Sequence, residues 1–349
     1  MAQQSLSYVL AERPTGDIIP GQTLRPKLEK APTAEDLKDG EALLETLYLS
    51  LDPTMRTWMN EAPTYLPAIK LGEVMRGSVI ARVLASKSPK ARPGDIVRAF
   101  TGWREHVVAR ESQFEEPMRL PPGAHTTDLL GVLGPTGMTA YFGLTEIGRP
   151  RAGETVVVSG AAGATGSVAG QLAKLMGARV VGIAGTEEKV RWLREDLGFD
   201  EALNYKAADF KKKFKEATPD MIDVYWDNVG GDILNMALAR AAQHSRFVMC
   251  GSISGYNSTG APFQSRYFSN IITRRIRLEG FIILDYVARF PEAREELGKW
   301  LSEGKIKRQE TIIKGGLKSA EYALLELFKG ANIGKLLVEV KNPEGGPRL

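Results

Sequence analysis

Cysteine and histidine are scarce in this chain. Among its 349 residues are one cysteine, Cys250, and three histidines, which are His106, His125 and His244. One cysteine excludes an internal disulfide and a structural zinc lobe of four cysteines, and the histidines follow no metal-ligand spacing. We therefore expect no metal and no Lewis-acid oxidation of an alcohol. A G-x-S-x-G elbow is also absent, which argues against a Ser–His–Asp hydrolase.

Long apolar runs and an excess of one charge are also missing. No stretch is long enough to span a bilayer, and the start MAQQSLSYVL lacks the chemistry of a signal or transit peptide. The 46 Lys+Arg nearly balance the 42 Asp+Glu, so neither a nucleic acid nor a membrane surface is implied as a partner. We expect a soluble cytoplasmic protein. The final Pro347-Arg348-Leu349 resembles a peroxisomal address too loosely to support a prediction.

What the chain does contain is a strand, a glycine-rich turn and a helix in immediate succession. The segment TVVVSGAAGATGSVAGQLAKLMGA, residues 155–178, passes from a β-branched run into an Ala/Leu-rich helical pattern. Gly163 and Gly166 fit the last two glycines of G-x-G-x-x-G, whereas Ala161 replaces the first and Gly160 precedes it. Glycines also make ordinary turns, but the strand before and the helix after favour pyrophosphate binding at backbone N–H groups. We call residues 160–166 the glycine loop.

Apolar runs then alternate with helical periods, which predicts a doubly wound parallel sheet. The predicted strands are 155–158, 179–184, 201–204, 221–227, 246–251 and 277–283, and the predicted helices are 187–197, 210–215 and 231–242. Ligands of such sheets bind beyond the carboxyl ends of the strands. The loops after Ala184, Asp227, Gly251 and Ile283 should therefore line one crevice.

The end of the second predicted strand indicates which nucleotide binds. NAD-binding proteins place an acidic side chain there, but this chain has Gly185 and Thr186, followed by Lys189. The missing carboxylate removes repulsion of a 2′-phosphate, and the lysine supplies a charge-assisted hydrogen bond, which favours NADPH. In the alternative interpretation Thr186 caps a helix that begins with Glu187 and Glu188, and Lys189 is a solvated surface residue.

The part of the chain before about residue 122 has a different pattern. Its short alternating segments are divided by proline and glycine, which is typical of an irregular β-rich barrel or sandwich. Pro121-Pro122-Gly123 marks a boundary. Further elements are predicted at 133–141, 291–302 and 319–328 (helices) and at 336–340 (strand).

Short motifs recur along the whole chain in a specific order. They are YLSLDPTMR (48–56), LGEVMRG (71–77), GPTGMTAYFGL (134–144), AAGATGSVAGQLAK (161–174), EKV (188–190), LNYK (203–206), DNVGG (227–231), CGSISGYN (250–257), EGFII (279–283) and NIGK (332–335). With them the chain resembles, nearly end to end, the zinc-free branch of the medium-chain dehydrogenase/reductases, specifically the NADPH-dependent alkenal and prostaglandin reductases. The resemblance implies an α/β fold with a GroES-like catalytic domain (residues 1–125 and 315–349), a central Rossmann domain (126–314) and a homodimer.

The resemblance also implies a set of contacts to the cofactor. The matching residues are Gly163, Ala164, Thr165 and Gly166 in the glycine loop, Lys189 and Tyr205 on the adenosine side, and Asn228, Cys250, Gly251, Ser252, Ile253, Ser254, Tyr256, Phe281, Ile282, Ile283 and Asn332 towards the nicotinamide. Two alternatives stay open, since Tyr205 could simply cap a strand and Asn332 could make a turn.

The implied reaction saturates the carbon–carbon double bond of a small hydrophobic enal or enone. NADPH delivers hydride to the β-carbon, charge develops on the carbonyl oxygen, and a proton reaches the α-carbon without a metal. Tyr65 is the predicted phenol near the carbonyl, Tyr256 is the second candidate, and Arg56 is a predicted substrate contact. Alternatively either tyrosine is an aromatic wall, and solvent or the cofactor ribose hydroxyl supplies the proton.

Two positions depart from the family pattern. Thr54 stands where relatives commonly have tyrosine, and some relatives carry a tyrosine in the stretch that here reads Asn270–Thr273. Two other functions therefore stay open. One is a quinone reductase of the same superfamily, and the other is a protein that binds NADPH without turnover.

Overall fold

The computed structural model describes residues 3–62, 64–260 and 264–342. Its strands are β1 (Gln4–Leu10), β2 (Leu24–Lys30), β3 (Glu41–Ser50), β4 (Val79–Ser86), β5 (Ile96–Ala99), β6 (His106–Arg110), β7 (Thr155–Val158), β8 (Arg179–Ala184), β9 (Glu201–Asn204), β10 (Ile222–Asp227), β11 (Ala241–Met249), β12 (Arg277–Gly280), β13 (Glu310–Ile313) and β14 (Lys335–Glu339). Its α-helices are α1 (Met55–Trp58), α2 (Pro135–Phe142), α3 (Ala164–Leu175), α4 (Glu187–Arg191), α5 (Phe210–Ala217), α6 (Gly231–Ala239), α7 (Ile253–Tyr256), α8 (Ser269–Thr273), α9 (Phe290–Ser302) and α10 (Ala320–Lys329). Shorter 3₁₀ or π-helical turns cover Ala34–Asp36, Glu111–Gln113, Thr126–Leu130, Gly143–Gly148, Trp192–Asp196, Ile283–Arg289 and Leu317–Ser319.

The central part of the chain forms a six-stranded parallel sheet in the order β12-β11-β10-β7-β8-β9. All of β7, TVVV, is buried, as expected for a strand with helices over both faces. From β7 the chain winds outward through β8 and β9, then returns to the other side of β7 and winds outward through β10, β11 and β12. The gap between β7 and β10 is thus a topological switch point, where α/β sheets bind ligands.

The Phe199 ring packs against a glycine of helix α3 and a glycine of this sheet. A Cβ on Gly170 would come within 1.9 Å of the Phe199 ring, and one on Gly182 of β8 would come within 2.8 Å of the same ring. Because only glycine fits at both positions, the sequence fixes how α3 lies on the sheet. The N-terminus of α3 therefore stands at the carboxyl end of β7.

Several predicted boundaries around the parallel sheet are wrong. The predicted helix 231–242 ends at Ala239, as α6, and the predicted strand 246–251 ends at Met249. β11 begins at Ala241 rather than Arg246, because Ala241 pairs with Ile222 ahead of a register shift. β12 ends at Gly280 rather than at residue 283, since a 3₁₀ turn begins at Ile283. The predicted helix 187–197 is α4 followed by the π-helical turn Trp192–Asp196. Hydrogen-bonded partners, which local apolar patterns do not show, set these ends.

A second sheet has the order β13-β14-β3-β4-β5, with β6 also paired to β3. β14 runs antiparallel to β3, so segments from the two ends of the chain share this sheet. β13, which precedes residue 315, pairs with β14 in parallel. β1 and β2 form a separate antiparallel ribbon. The predicted combination of a β-rich part with a doubly wound parallel sheet is confirmed.

The two large sheets share one hydrophobic core. Leu47 and Ile80 of the second sheet belong to the same buried cluster as Val158 and Trp226 of the parallel sheet, together with apolar residues of α2. This core holds the β-rich part beside the switch point. No helix in the described ranges combines the length and the hydrophobicity needed to cross a bilayer.

Candidate active site

The glycine loop joins β7 to α3 at the carboxyl edge of the parallel sheet. Gly160 has φ +58°, and a Cβ on Gly166 would lie 2.4 Å from the carbonyl oxygen of Gly160. Gly163 is the N-cap of α3, whose first residues are Ala164 and Thr165, and no side chain caps this helix. The first-turn amides thus lack a side-chain acceptor at the positive end of the helix dipole. A pyrophosphate fits this arrangement.

A segment near the end of the chain crosses the glycine loop. The backbone N–H of Gly334 donates to the carbonyl of Ala162 at 2.8 Å. Asn332 is buried, and its Nδ2 donates to the carbonyl of Gly334 at 2.8 Å. The fold therefore brings Asn332 beside the glycine loop, although the loop ends at Gly166, far from Asn332 in the sequence. The same hydrogen bond also makes the local turn that was the alternative interpretation.

Lys189 lies in α4, which follows β8 at one end of the crevice. Its Nζ donates to the carbonyl of Gly330 at 2.6 Å, while its backbone N–H donates to the Thr186 hydroxyl at 3.3 Å. Thr186 therefore caps α4, as the alternative interpretation had it, but Lys189 is half-buried rather than solvated. Burial lowers its pKa, and the nearby Lys206 lowers it further. Among the ion pairs of the described residues none involves Lys189, which leaves its charge available for an anion.

Tyr205 lies beside the same end of the crevice. A Cβ on Gly185 would come within 3.0 Å of the Tyr205 ring, so the ring covers this glycine directly. Lys206 Nζ lies 5.7 Å from the ring centroid, within cation–π distance. The ring is nearly half exposed, at 46%. An exposed aromatic face beside a lysine suits an adenosine moiety.

Asn228 stands at the end of β10, across the switch point from the glycine loop. Its Nδ2 donates to the carbonyl of Ser159 at 2.6 Å, and its Oδ1 accepts from the Trp226 indole at 3.0 Å. The neighbouring Asp227 is fully buried and accepts from the hydroxyls of Ser159 and Tyr225. Burial raises the pKa of Asp227. Asp227 and Ser159, which sequence reasoning did not single out, hold Asn228 in place.

The loop after β11 is fastened to the end of β10. The backbone N–H groups of Cys250 and Gly251 both donate to the carbonyl of Asp227 at 2.9 Å. Further on, the N–H of Ile253 donates to the carbonyl of Asn228, and the hydroxyl of Ser254 donates to the carbonyl of Val229 at 2.6 Å. Ser252 lies between these bonded residues and Gly251. Burial raises the pKa of the Cys250 thiol to about 12, which makes it unreactive.

The stretch after β12 borders the crevice from the edge of the sheet. The Phe281 ring lies 6.1 Å from that of Trp226, edge to face. A Cβ on Gly143 would come within 2.8 Å of the Phe281 ring. Ile282 follows, and Ile283 begins the 3₁₀ turn Ile283–Arg289. This apolar wall is continuous with the shared core.

The two candidate phenols, Tyr65 and Tyr256, come from different parts of the fold. Tyr65 precedes β4 in the β-rich part and is 44% exposed. Tyr256 ends α7, and its hydroxyl accepts from the N–H of Ser252 at 3.3 Å. Burial raises the pKa of Tyr256, and Cys250 and Tyr65 raise it further. Tyr256 is therefore present in the neutral, proton-donating form at neutral pH.

Arg56 does not face the crevice. It is buried, and its guanidinium donates to the carbonyls of Pro14 and Gly16 and to Asn60 Oδ1. These bonds tie α1 to the N-terminal segment. The predicted contact between Arg56 and substrate is not favoured by this geometry, because the donors already have protein acceptors.

Sequence reasoning also missed the buried ion pair between Lys335 and Asp52. Lys335 Nζ donates to Asp52 Oδ1 at 2.6 Å and to the carbonyl of Leu51 at 3.1 Å. This pair connects the motif NIGK to the motif YLSLDPTMR. Within the described ranges no group of three or more His, Cys, Asp or Glu is placed to hold a metal ion.

Comparison with known proteins identifies the class. A family model described as "N-terminal domain of oxidoreductase" matches residues 7–116, and one described as "Zinc-binding dehydrogenase" matches residues 164–299. The chain is thus an oxidoreductase of the medium-chain dehydrogenase/reductase superfamily.

Relatives of nearly equal length narrow this class. The NADPH-dependent curcumin reductase of Escherichia coli is 40% identical over 97% of this chain and 97% of its own. The NADP-dependent 2-alkenal reductase of tobacco (Nicotiana tabacum) is 40% identical over 86% of this chain and 87% of its own. The crystal structure of CurA from Vibrio vulnificus in complex with NADPH has 37% identity and a TM-score of 0.90 over 97% of this chain and 100% of CurA. The chain belongs to the alkenal and prostaglandin reductase family.

Proposed function

We propose that this protein is an NADPH-dependent reductase that saturates the carbon–carbon double bond of α,β-unsaturated aldehydes and ketones. One observation carries the cofactor assignment. The uncapped N-terminus of α3 stands at the switch point, and Lys189, which has no carboxylate partner among the described residues, lies in α4 just after the next strand, β8. The substrate class rests on relatives that cover nearly the whole chain.

The residues present fit the nucleotide. Backbone amides of the glycine loop would hold the pyrophosphate, Lys189 the 2′-phosphate, and Tyr205 the adenosine. The remaining predicted contacts, which are Asn228, Cys250, Gly251, Ser252, Ile253, Ser254, Tyr256, Phe281, Ile282, Ile283 and Asn332, border the nicotinamide half. When bound, NADPH supplies the hydride for the β-carbon of the substrate.

The chain itself contributes orientation and hydrogen-bond donors. The phenol hydroxyls of Tyr65 and Tyr256 would donate hydrogen bonds to the carbonyl oxygen, where negative charge develops. Trp226, buried behind the Phe281 ring, keeps this wall apolar, so water is excluded from the reacting carbon atoms. A proton for the α-carbon would come from Tyr65 or from solvent.

A panel of acceptors tests this function. NADPH oxidation is measured with 2-alkenals, aryl enones and quinones, and the products are analysed. Saturated aldehyde or ketone is the expected product. Hydroquinone without alkene reduction would establish a quinone reductase instead, and NADPH binding without turnover on any acceptor would establish a non-catalytic binding protein.

We also propose a homodimer formed through β12, the edge strand of the parallel sheet. Beside it lie the exposed apolar side chains of Phe268, Ile272 and Leu278. Two copies of β12 paired antiparallel about Leu278 would set Arg277 opposite Glu279 of the partner subunit, twice by symmetry. Hydrogen-bond donors and acceptors, apolar surface and charge are thus all self-complementary at this edge.

A charge reversal tests the dimer. Arg277→Glu places two glutamates opposite each other, so sedimentation should show mainly monomer at micromolar concentration. The double variant Arg277→Glu/Glu279→Arg is the matched control, because it restores the opposite charges and with them the dimer. A wild-type monomer, or a dimer that tolerates the single variant, would contradict the proposal.

The division into domains and the compartment also remain proposals. A boundary near residue 125 is supported by the separate sheets on either side of it. Pairing of β13 with β14 supports placing the second boundary before Glu310 rather than at 315. We propose the cytoplasm as the location, to be tested by cell fractionation. Pro347-Arg348-Leu349 lies outside the described residues.

A further inference from the structure

Thr54 occupies the position at which this chain departs from its family, and its hydroxyl contacts the Tyr65 phenol. The two oxygen atoms lie 2.9 Å apart. The indole Nε1 of Trp58 lies 3.1 Å from the same phenol oxygen. Thr54 is the N-cap of α1 and Trp58 its last residue, so the two side chains lie one turn apart on one helix face. One helical turn therefore holds one phenol through two hydrogen bonds.

Counting protons fixes the direction of one of these hydrogen bonds and leaves two arrangements for the other. The Trp58 indole only donates, so the phenol oxygen of Tyr65 accepts from it. The Thr57 hydroxyl donates to the carbonyl of Thr54 at 2.8 Å. The Thr54 proton then has two acceptors, the Tyr65 oxygen at 2.9 Å and Thr57 Oγ1 at 3.4 Å, of which the nearer makes the stronger bond. With Thr54 as the donor, Tyr65 accepts twice and keeps its own proton free; in the reverse arrangement Tyr65 donates to Thr54 and Thr54 donates to Thr57. The inference below rests on the first arrangement, and the experiment distinguishes the two.

The support of this phenol is rigid, whereas its free side is open. Trp58 is 7% exposed, and its ring meets the edge of Phe100 at 6.2 Å. The bonds of Arg56 to backbone carbonyls hold the same helix. Tyr65, by contrast, is 44% exposed. With the Thr54 hydroxyl as the donor, the phenol proton is available on this exposed side.

We infer that Thr54 is a positioning residue for the reaction: with Trp58 it orients the Tyr65 phenol so that the phenol proton is donated to the carbonyl oxygen of the enal or enone. This inference rests on the proposed function. Negative charge grows on that oxygen during reduction, and a donor already fixed in place stabilises it without reorganisation. The Thr54 hydroxyl thus orients the Tyr65 phenol through a direct hydrogen bond, whereas a tyrosine at position 54 would contact that phenol with a different geometry.

The experiment removes one hydroxyl with little change of shape. Thr54→Val is compared with Thr54→Ser, with saturating NADPH and 4-phenyl-3-buten-2-one as the enone. The valine variant should lose about threefold to tenfold in kcat, the size of one neutral hydrogen bond, with a smaller change in KM. The serine variant should recover most of kcat. In a Tyr65→Phe background Thr54→Val should have no further effect, because Thr54 acts only through the phenol.

Thr57→Val is the matched control, since it makes the same substitution and deletes a threonine hydroxyl from the same helix, α1. It should leave kcat unchanged if Thr54 donates to Tyr65, and it should be as harmful as Thr54→Val if Thr54 donates to Thr57. Calorimetric binding of the enone to the NADP⁺ complex and the unfolding midpoint serve as readouts independent of turnover.

Three results would overturn the inference: wild-type kcat in Thr54→Val, equal loss in Thr57→Val, or an undiminished effect of Thr54→Val in the Tyr65→Phe background. Each presupposes a wild-type enzyme that reduces the enone. Absence of enone reduction by the wild type would instead refute the proposed function, so the two failures are distinguishable.

Discussion

Replacement of Lys189 by methionine should remove the preference for NADPH over NADH. Methionine keeps an apolar stem in the half-buried position but removes the ammonium. A hydrogen bond between charged groups contributes about 1.5–3 kcal/mol, so the dissociation constant of NADPH should rise about 10- to 150-fold. The constant is measured by calorimetric titration of each nucleotide.

The hydrogen bond between Lys189 and Gly330 has to be separated from this effect. Lys189→Met also removes the 2.6 Å bond to the Gly330 carbonyl, which joins α4 to the segment after α10. NADH lacks the 2′-phosphate and reports only that structural loss. The change in the ratio of the two dissociation constants therefore isolates the phosphate interaction. Lys213→Met, which removes an exposed lysine paired with Asp209, is the matched control and should leave both constants unchanged.

The pH dependence should follow the charge of Lys189. Burial lowers its pKa below the ordinary 10.5, so the ammonium is lost earlier on the alkaline side than that of a solvated lysine. A bound phosphate favours the charged form and raises this pKa again. NADPH affinity should therefore fall as the pH rises through the pKa of Lys189 in the free enzyme, whereas NADH affinity stays level.

In the mutation experiment, equal losses of affinity for both nucleotides in Lys189→Met would refute the contact between Lys189 and the phosphate and leave only the hydrogen bond to Gly330.

Three further predictions concern the glycine loop, the carboxyl group of Glu310 and the thiol of Cys250. Gly166→Ala should weaken NADPH binding at least tenfold in calorimetry, because its Cβ would lie 2.4 Å from the Gly160 carbonyl oxygen. Glu310 is half-buried, and this partial burial raises its pKa, so its contribution to stability is present below its ordinary pKa of 4.5 and is lost as the pH rises through the folded value. Glu310→Gln should accordingly raise the unfolding midpoint at pH 7 but not at pH 4. An equal change in the midpoint at both pH values would contradict this. With a pKa of about 12, the Cys250 thiol should react with iodoacetamide at pH 8 roughly a thousandfold more slowly than in the unfolded chain.

Local patterns were sufficient where one face or one run of residues decides the structure. The observed ranges of β7, β8 and β9 agree with the predicted 155–158, 179–184 and 201–204, because each is a short apolar run bounded by glycine or polar residues. The glycine loop was equally readable, since the requirement for glycine arises from atoms only a few residues away. Strand ends set by a neighbour, as in β11, were not readable in this way.

The candidate site shows the same division. The sequence placed Lys189 at the end of β8, but its acceptor, the Gly330 carbonyl, is 141 residues away. The sequence marked Thr54 as a departure from the family and Tyr65 as a phenol near the substrate, without showing that the two hydroxyls meet. Arg56 was predicted as a substrate contact, whereas the fold provides it with carbonyl acceptors about 40 residues away.

The sequence by itself thus determined the sheet, the glycine loop and the kind of nucleotide, because these depend on residue order, on periodicity and on the presence or absence of a charge at one position. Only the tertiary structure decided which side chains are committed to the protein and which remain free for a ligand. Hydrogen-bond donors and acceptors are satisfied by whatever lies within about 3 Å, and folding, not distance along the chain, brings those atoms together.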